Sequence, residues 1–88
     1  WDISIHLKNR VFTKAGQDIN ITQKEYLIIS YMLWASPEAV SRTDVIDAVW
    51  WEVERFEADG KLDVYIHTIR SKFWKEFITT IKWFGYKI

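Results

Sequence analysis

The side chains in this chain that can do chemistry are concentrated in its last third, and they suit contacts with phosphate. Arg70, Lys72 and Lys82 are the best candidates for ion pairs with a phosphate backbone, because each cation can neutralise one charge of a polyanion. Thr80 adds a hydroxyl that can donate to a phosphate oxygen. The alternative interpretation is a solvated basic flank.

A second set of side chains shares one face of a helix predicted over residues 61–75. Serine and threonine hydroxyls on that face discriminate bases poorly, and the bidentate arginine–guanine pair is missing, so base readout is expected to be weak. An exposed helix face without a ligand is the competing interpretation. Together with the phosphate candidates, the predicted DNA-binding residues are Lys61, Val64, His67, Thr68, Arg70, Ser71, Lys72, Lys75, Thr80 and Lys82.

Two elements must position these side chains, a helix and a hairpin that follows it at once. The helix is predicted from apolar residues within one narrow arc, whereas residues 78–88 have the period of a strand and turn near Gly85. This is the arrangement of a recognition helix that enters a DNA groove and a wing that reaches the neighbouring backbone. The inward stripe of the helix is predicted to be Leu62, Ile66, Ile69 and Phe73.

The wing turn itself carries two large aromatic residues, Trp83 and Phe84. Such side chains usually pack back onto their own sheet, and that packing is the expectation for both. Insertion beside a groove, or stacking on bases, is the alternative. Farther upstream, Tyr26 and Trp50 are expected to be core residues.

The N-terminal part of the chain alternates with the period of strands. Residues 3–7, 10–13 and 18–21 are predicted to form an antiparallel meander with one apolar face. Gly16 lies in the turn between the second and third strands, where it can take a positive φ. This part of the chain therefore predicts a small sheet that precedes the helices.

Two further helices are predicted between the meander and the recognition helix. Thr22 and Glu25 have the spacing of a capping box, which starts an amphipathic helix over 23–35. A second cap signal starts a short helix over 42–50, and the acidic residues 51–60 are predicted to form a loop because they lack a clean period. The inward side chains of the longer helix are predicted to be Tyr26, Ile29 and Leu33.

Length and composition restrict the function classes further. Eighty-eight residues predict a single domain, residues 1–88. The absence of cysteine fits a reducing compartment without proving one. The sequence contains no metal-ligand spacing, nucleophile set or Gly-rich phosphate loop, so we expect no metal, cofactor, small-molecule substrate or enzymatic activity. No apolar stretch approaches a membrane span and no signal peptide is visible, so a cytoplasmic location is expected.

The net charge is zero, but the two signs are divided along the chain. Residues 44–59 carry six acidic side chains and one basic one, whereas residues 60–88 carry six basic and two acidic ones. Such a division can steer an anionic ligand towards one face of a domain. A split of this size also arises by chance in a small domain, so the charge pattern supports a DNA contact without deciding it.

Four segments of the chain, in order and with plausible spacing, carry a resemblance to a known family. They are Ile19-Asn-Ile-Thr-Gln-Lys-Glu-Tyr26; Val40-Ser-Arg-Thr-Asp-Val-Ile46 with Ala48-Val-Trp50; Leu62-Asp-Val-Tyr-Ile-His-Thr-Ile-Arg70; and Ile78-Thr-Thr-Ile-Lys82 with Gly85-Tyr86. Together they resemble the C-terminal winged-helix output domains of OmpR/PhoB-type bacterial response regulators.

The resemblance implies an α+β fold, a winged helix with an N-terminal four-stranded antiparallel sheet, a three-helix bundle and a C-terminal β-hairpin wing. It also implies sequence-specific binding of double-stranded DNA, often as a tandem homodimer. In the family, a separate phosphorylated receiver domain of the two-component system controls this binding and hence transcription.

Several positions depart from the family pattern. Gly60 and the pair His67 and Thr68 stand where arginines are frequent, and Lys82 and Trp83 stand where Arg-Gly is usual. These changes remove phosphate and base contacts and add apolar surface, while the core pattern is kept. The alternative prediction is therefore a computationally designed sequence on this fold without retained DNA binding. A third hypothesis is a protein-interaction module that uses the acidic segment and exposed tryptophans.

Overall fold

A computed structural model describes residues 3–50 and 55–88 of the chain. Over these residues it confirms the predicted α+β winged helix: an antiparallel sheet, three α-helices and a terminal hairpin. One turn of 3-10 helix, Leu7–Asn9, separates the first two strands. The elements are β1 (Ile3–His6), β2 (Val11–Lys14), β3 (Gln17–Asp18), α1 (Gln23–Ala35), β4 (Val40–Ser41), α2 (Arg42–Val49), α3 (Arg55–Lys72), β5 (Thr79–Ile81) and β6 (Gly85–Lys87).

The N-terminal sheet is an antiparallel meander in the order β1-β2-β3, as predicted. Its two-residue turn has positive φ angles at Ala15 and Gly16, 53° and 80°, which is the backbone that tight hairpins require. Phe12 of β2, only 1% exposed, carries the sheet into the core. Over the described residues the sheet has three strands, one fewer than the resemblance implies.

Helix α1 begins and ends where the sequence predicts. The Thr22 hydroxyl accepts from the Glu25 amide at 3.3 Å, and the Glu25 carboxylate accepts from the Thr22 amide at 3.0 Å, so the predicted capping box is present. Its buried stripe differs from the predicted one, because α1 packs against both other helices. The prediction of an inward position is confirmed for Ile29 and is wrong for Tyr26 and Leu33, so Tyr26 is not a fully buried core residue. The buried side chains are Glu25, Ile28, Ile29 and Met32, whereas Tyr26 and Leu33 are half-buried.

Helix α2 is one residue shorter than predicted, and its start is capped by Ser41. The Ser41 hydroxyl accepts from the Asp44 amide at 3.0 Å, which satisfies one of the free amides of the first turn. Trp50 follows the last helical residue and is 4% exposed, so its prediction as a core residue is confirmed.

Helix α3 starts earlier than the sequence predicts, at Arg55 rather than at residue 61, and ends at Lys72. The prediction of a loop over 51–60 is therefore wrong for residues 55–60, while residues 51–54 lie outside the described part of the chain. Two contacts favour the extra turn. Ala58 is fully buried one turn before Leu62, and the Glu57 carboxylate pairs with the Lys61 ammonium at 2.9 Å.

Gly60 is the reason the earlier start is hard to see in sequence. A glycine inside a helix costs about 1 kcal/mol relative to alanine, so it usually indicates a boundary. Here it points into open space on the exposed side of α3, and the burial of Ala58 offsets its cost. The predicted inward stripe, confirmed as fully or almost fully buried, is Leu62, Ile66, Ile69 and Phe73.

The wing is the predicted hairpin, formed by β5 and β6, and it is extended by a strand that the sequence does not reveal. Strand β4 pairs with β6, so the second sheet has the order β4-β6-β5. Gly85 allows this approach, because an added Cβ would lie 1.9 Å from the Val40 carbonyl oxygen. The wing is thereby joined to the residue that caps α2.

One hydrophobic cluster connects both sheets with the three helices. The Phe73 ring lies at its centre, 6.0 Å from the Phe12 ring and 4.5 Å from the Phe77 ring, measured between centroids. Because this cluster reaches from β2 to the segment before β5, it fixes the start of the wing against the end of α3. None of the helices in the described residues has the length and apolarity needed to span a bilayer.

The same substitution at two glycines is expected to have opposite effects on stability. Gly60→Ala should raise the free energy of unfolding by about 0.5–1 kcal/mol, because alanine lowers the backbone entropy of the unfolded chain. Its added Cβ would point into open space. Gly85→Ala should lower it by about 3 kcal/mol, because its Cβ overlaps the β4 backbone. Urea denaturation followed by circular dichroism measures both. A stabilising Gly85→Ala, or a destabilising Gly60→Ala, would contradict the described packing.

Candidate nucleic-acid interface

The face of α3 opposite its buried stripe is open to solvent and carries half of the predicted DNA-binding residues. Val64 is 64% exposed, which is high for an apolar side chain in the middle of a helix. Thr68 is half-buried at the edge of this face. We call this surface the open face of α3; it consists of Lys61, Val64, His67, Thr68 and Ser71.

The two hydroxyl groups of the open face donate to the helix itself. Thr68 Oγ1 donates to the Val64 carbonyl at 3.0 Å, and Ser71 Oγ donates to the His67 carbonyl at 3.1 Å. Each oxygen keeps its lone pairs, so both remain acceptors. In a groove they can accept from the exocyclic amino groups of adenine or cytosine, which is a weak form of discrimination.

Lys75 follows the end of α3 but remains on the same side of the molecule. It lines one shallow depression together with His67, Arg70 and Ser71. The structure thus brings together the predicted residues of the second half of the helix and the first cation beyond it. Such a depression, with a cation at its rim, has the chemistry of a phosphate contact.

Arg70 does not present its charge to solvent as the sequence predicts. Its Nε and Nη2 atoms both donate to the Ile78 carbonyl, at 3.0 and 2.7 Å, and Nη2 also donates to the Thr80 hydroxyl at 2.8 Å. The guanidinium is therefore committed to the first strand of the wing. Its role in the structure is to hold β5 against α3, and Thr80, although exposed, shares that contact.

Lys72 also has a structural role in place of the predicted phosphate contact. Its Nζ donates to the Glu25 carboxylate at 2.6 Å and to the Asn20 carbonyl at 2.7 Å. The Glu25 side chain is 2% exposed, so the lysine neutralises a carboxylate that would otherwise be a costly buried charge. Lys72 ties the end of α3 to the start of α1.

A second contact between α3 and the wing is formed by three polar side chains that the sequence analysis does not single out. Asp63 Oδ1 accepts from Arg42 Nη1 at 2.6 Å and from the Tyr86 hydroxyl at 2.7 Å. Arg42 Nη1 also lies 3.2 Å from the Tyr86 hydroxyl oxygen. The network joins the first residue of α2 to α3 and β6.

The protonation states of this network follow from the same contacts. Hydrogen bonds from Tyr86 and Arg42 lower the pKa of Asp63 below its ordinary value of 3.8. Burial and the hydrogen bond to Asp63 raise the pKa of Tyr86 above 10.0. The carboxylate is therefore charged and the phenol neutral across the neutral range, which is the state in which the phenol can donate to the carboxylate.

Asp63 and Arg70 lie seven residues apart, two turns of α3, and so face the same way. Their contacts to the wing are spaced about 10 Å along the helix axis, at 1.5 Å per residue. Two attachment points fix the orientation of the wing relative to α3, whereas a single one would let the wing rotate about it. The seven-residue spacing of an acid and an arginine is the sequence signal that could have identified this face, since it lies beside the buried stripe.

The tip of the wing projects into solvent. Trp83 is 94% exposed and Phe84 is 51% exposed, so the expectation that these rings pack back onto the sheet is wrong. The Lys82 ammonium lies 5.5 Å from the centroid of the Trp83 ring. Trp83 also has a φ of 65°, a left-handed backbone that costs a residue with a Cβ about 1–2 kcal/mol.

Within the described residues, no group of three or more His, Asp or Glu side chains is placed to hold a metal ion. The arrangement instead combines a protruding helix face, nearby cations and a projecting hairpin. This geometry is suited to contacts along an extended polyanion.

Comparison with known proteins agrees with this geometry. Residues 16–88 match the model of the family described as "Transcriptional regulatory protein, C terminal". Response regulator SaeR of Staphylococcus aureus is 30% identical over 84 residues, which cover 90% of this chain and 36% of SaeR. The chain spans about 40% of the length of the curated relatives RR06, BasR and YkoG, which it also matches.

Solved structures share the fold over the whole chain. Response regulator DrrB, a Thermotoga maritima OmpR/PhoB homologue, superimposes with a TM-score of 0.83 at 21% identity, over 100% of this chain and 42% of DrrB. The DNA-binding domain of response regulator AdeR, solved in complex with an intercistronic region, gives a TM-score of 0.74 at 17% identity, over 100% of this chain and 93% of that domain. These matches confirm the winged-helix fold.

Replacing Asp63 with asparagine should produce a pH-dependent loss of stability. The pKa of Asp63 is lowered on folding, so its stabilisation is complete above its unfolded pKa near 3.8 and is lost as pH falls through the lower folded pKa. At pH 7 we expect Asp63→Asn to cost about 0.2–1 kcal/mol, the range for exposed ion pairs, since the Asp63 side chain is 63% exposed.

The measurement is the free energy of unfolding of both proteins at pH 7, 5, 4 and 3, with Glu76→Gln as the control for an exposed carboxylate. The gap between wild type and Asp63→Asn should narrow below about pH 4. A gap that stays constant down to pH 3 would show that the carboxylate is not stabilised by Tyr86 and Arg42.

Proposed function

We propose, since this chain belongs to the family of C-terminal domains of transcriptional regulatory proteins, that it binds double-stranded DNA through the open face of α3 and the wing. In this proposal α3 lies in the major groove and the β5–β6 turn meets the neighbouring backbone. The family is one of transcription regulators rather than an enzyme class.

The family match confirms the predicted class of function, a DNA-binding domain of a transcriptional regulator. Relatives named as response regulators support the proposal that it is the output domain of a two-component system. The family match does not favour the alternative of a designed sequence without DNA binding. The match does not extend to individual contacts. Which residues meet DNA, and how a separate receiver domain controls them, are parts of the proposal.

The observation that carries the proposal is the joint placement of α3 and the wing. An α-helix with its side chains is about 10–12 Å across and fits the major groove, which is about 12 Å wide. Asp63 and Arg70 hold β6 and β5 beside this helix. A helix seated in the groove would therefore bring the β5–β6 turn to the adjacent phosphates without any rearrangement.

The residue roles follow from exposure and from the contacts already described. Lys61, Lys75 and Lys82 are exposed cations at the rim of the surface and are proposed to contact phosphates. Val64, His67, Thr68 and Ser71 are proposed to face base edges. Arg70 and Thr80 are proposed to act through the wing position, and Lys72 is left out because it neutralises Glu25.

The larger organisation is also proposed. Residues 1–88 are taken to act as one domain, because one buried cluster includes residues from Phe12 to Tyr86. Binding as a homodimer is supported by an exposed aromatic pair on α1, in which Trp34 is 81% exposed and stacks on Tyr31 with ring centroids 6.2 Å apart. A cytoplasmic location follows from the proposed DNA target.

Salt-dependent binding to labelled duplex tests the proposed function. Duplexes selected from a randomised pool by repeated binding serve as probes, and fluorescence anisotropy gives the dissociation constant at several salt concentrations. The logarithm of affinity should fall linearly with the logarithm of salt concentration. Lys75→Gln and Lys82→Gln should each reduce the magnitude of that slope by about 0.9, because each removes one phosphate contact.

Lys8→Gln is the matched control, since Lys8 is an exposed lysine beside the N-terminal sheet and its loss changes the net charge by the same amount. It should leave the slope unchanged. If Lys8→Gln reduces the slope as much as Lys82→Gln does, the attraction is non-specific and the proposed surface is wrong. Negligible binding at every salt concentration would refute DNA binding altogether.

A further inference from the structure

We infer that the wing tip, residues 82–84, is an aromatic wedge that inserts Trp83 against the base pairs of the minor groove beside α3 and so selects deformable DNA steps. The inference rests on the proposed function and adds a second source of specificity to it. This source is the shape and stiffness of DNA rather than hydrogen bonds to base edges.

The first observation is the exposure of the tip. Trp83 is 94% exposed and Phe84 is 51% exposed, side by side at the end of a hairpin. Large aromatic rings gain most from leaving water, and the fold provides no such gain for Trp83. The ring is therefore placed where only a contact outside the domain can bury it.

The second observation is the backbone at the same residue. The Phe84 amide donates to the Ile81 carbonyl at 2.9 Å, which closes a four-residue turn with Trp83 at its third position. The φ of Trp83 is 65°, and glycine is the residue that takes this conformation without strain. Strain and exposure both oppose folding at one position, and such outliers cluster at functional sites.

The chemistry around the ring favours nucleic acid as the partner. The Lys82 ammonium lies 5.5 Å from the Trp83 ring centroid, so a cation and an aromatic face are presented together. This pairing suits a phosphate beside a base. Residues 79–88 contain two lysines and no acidic residue, and nothing in the hairpin sequence repels a polyanion.

The position of the tip makes it continuous with the proposed DNA surface. The guanidinium of Arg70 on α3 bonds both the Ile78 carbonyl and the Thr80 hydroxyl, which fixes strand β5 against the helix. Trp83 and Phe84 also line one hollow with Arg42, the residue bound to Asp63 of α3. A wedge held this firmly can transmit force to DNA, as an insertion between base steps requires.

Insertion of Trp83 predicts a preference for certain DNA steps that contacts from the open face of α3 do not explain. Pyrimidine–purine steps such as TA and CA unstack and kink more easily than an A-tract, which is stiff. The step beneath the wing should therefore affect affinity even though no donor or acceptor reads it. Binding should also bend the duplex.

The test uses selected duplexes that differ only at the step beneath the wing, TA in one and AA in the other. The parent protein should bind the TA duplex about 10-fold more tightly, which is within the range for one position of a site. A 2-aminopurine placed at that step should brighten on binding as it unstacks, and energy transfer between dyes at the duplex ends should rise as the duplex bends.

Three substitutions separate the ring from the backbone. Trp83→Ala removes the ring and keeps the strained φ, Trp83→Gly removes both, and Trp83→Phe keeps an aromatic ring. Alanine and glycine variants should lose the 10-fold discrimination, the brightening and the bend, while they retain salt-dependent binding. The phenylalanine variant should keep part of each signal. Because Trp83 is exposed, Trp83→Gly should fold at least as stably as the parent.

The outcomes distinguish the wedge from the proposed function. If the parent binds duplexes but TA and AA bind equally, and Trp83→Ala bends DNA as the parent does, the wedge is refuted and DNA binding stands. If Trp83→Ala changes only a monomer–dimer equilibrium in light scattering, the tip faces a second copy and the wedge is again refuted. If the parent binds no duplex, the proposed function fails first.

Discussion

The surface formed by α3 and the wing depends on the attachment of the wing to α3 at two points. Asp63 binds Tyr86 of β6, and Arg70, two turns later, binds the Ile78 carbonyl before β5. A helix and a hairpin joined only by chain could take many relative orientations. These contacts, together with the packing of Phe73 and Phe77, select one of them. The surface proposed to meet DNA is therefore set by polar contacts beneath it.

This arrangement changes how the charge of the C-terminal segment should be interpreted. Residues 60–88 have six basic side chains, yet Arg70 and Lys72 are used inside the molecule, one by the wing and the other by the buried carboxylate of Glu25. The cations left for a polyanion are fewer than a sequence count indicates. Weak base readout and a modest salt dependence are expected together, and the exposed aromatic tip is proposed to supply the specificity that they lack.

Much of the fold was predictable because its signals are local. The capping box at Thr22 and Glu25, the stripe from Leu62 to Phe73 and the hairpin near Gly85 all depend on residues close in sequence. The failures depend on distant residues. The two-residue strand β4 exists only because β6 lies beside it, and the start of α3 depends on burial of Ala58. The spacing of Asp63 and Arg70 indicates one face of α3, but the partners of Arg70 and Lys72, like the exposure of Trp83, are properties of the assembled molecule.

The most direct measurement of the central claim is a map of the amide chemical shifts of the 15N-labelled domain during titration with a selected duplex. The account predicts that the perturbed amides form one continuous surface over residues 61–75 and 79–84, with the strands of the N-terminal sheet unchanged. Perturbations centred on residues 3–18, or confined to α3 with a silent wing, would contradict the claim that the helix and the wing act as one rigid surface.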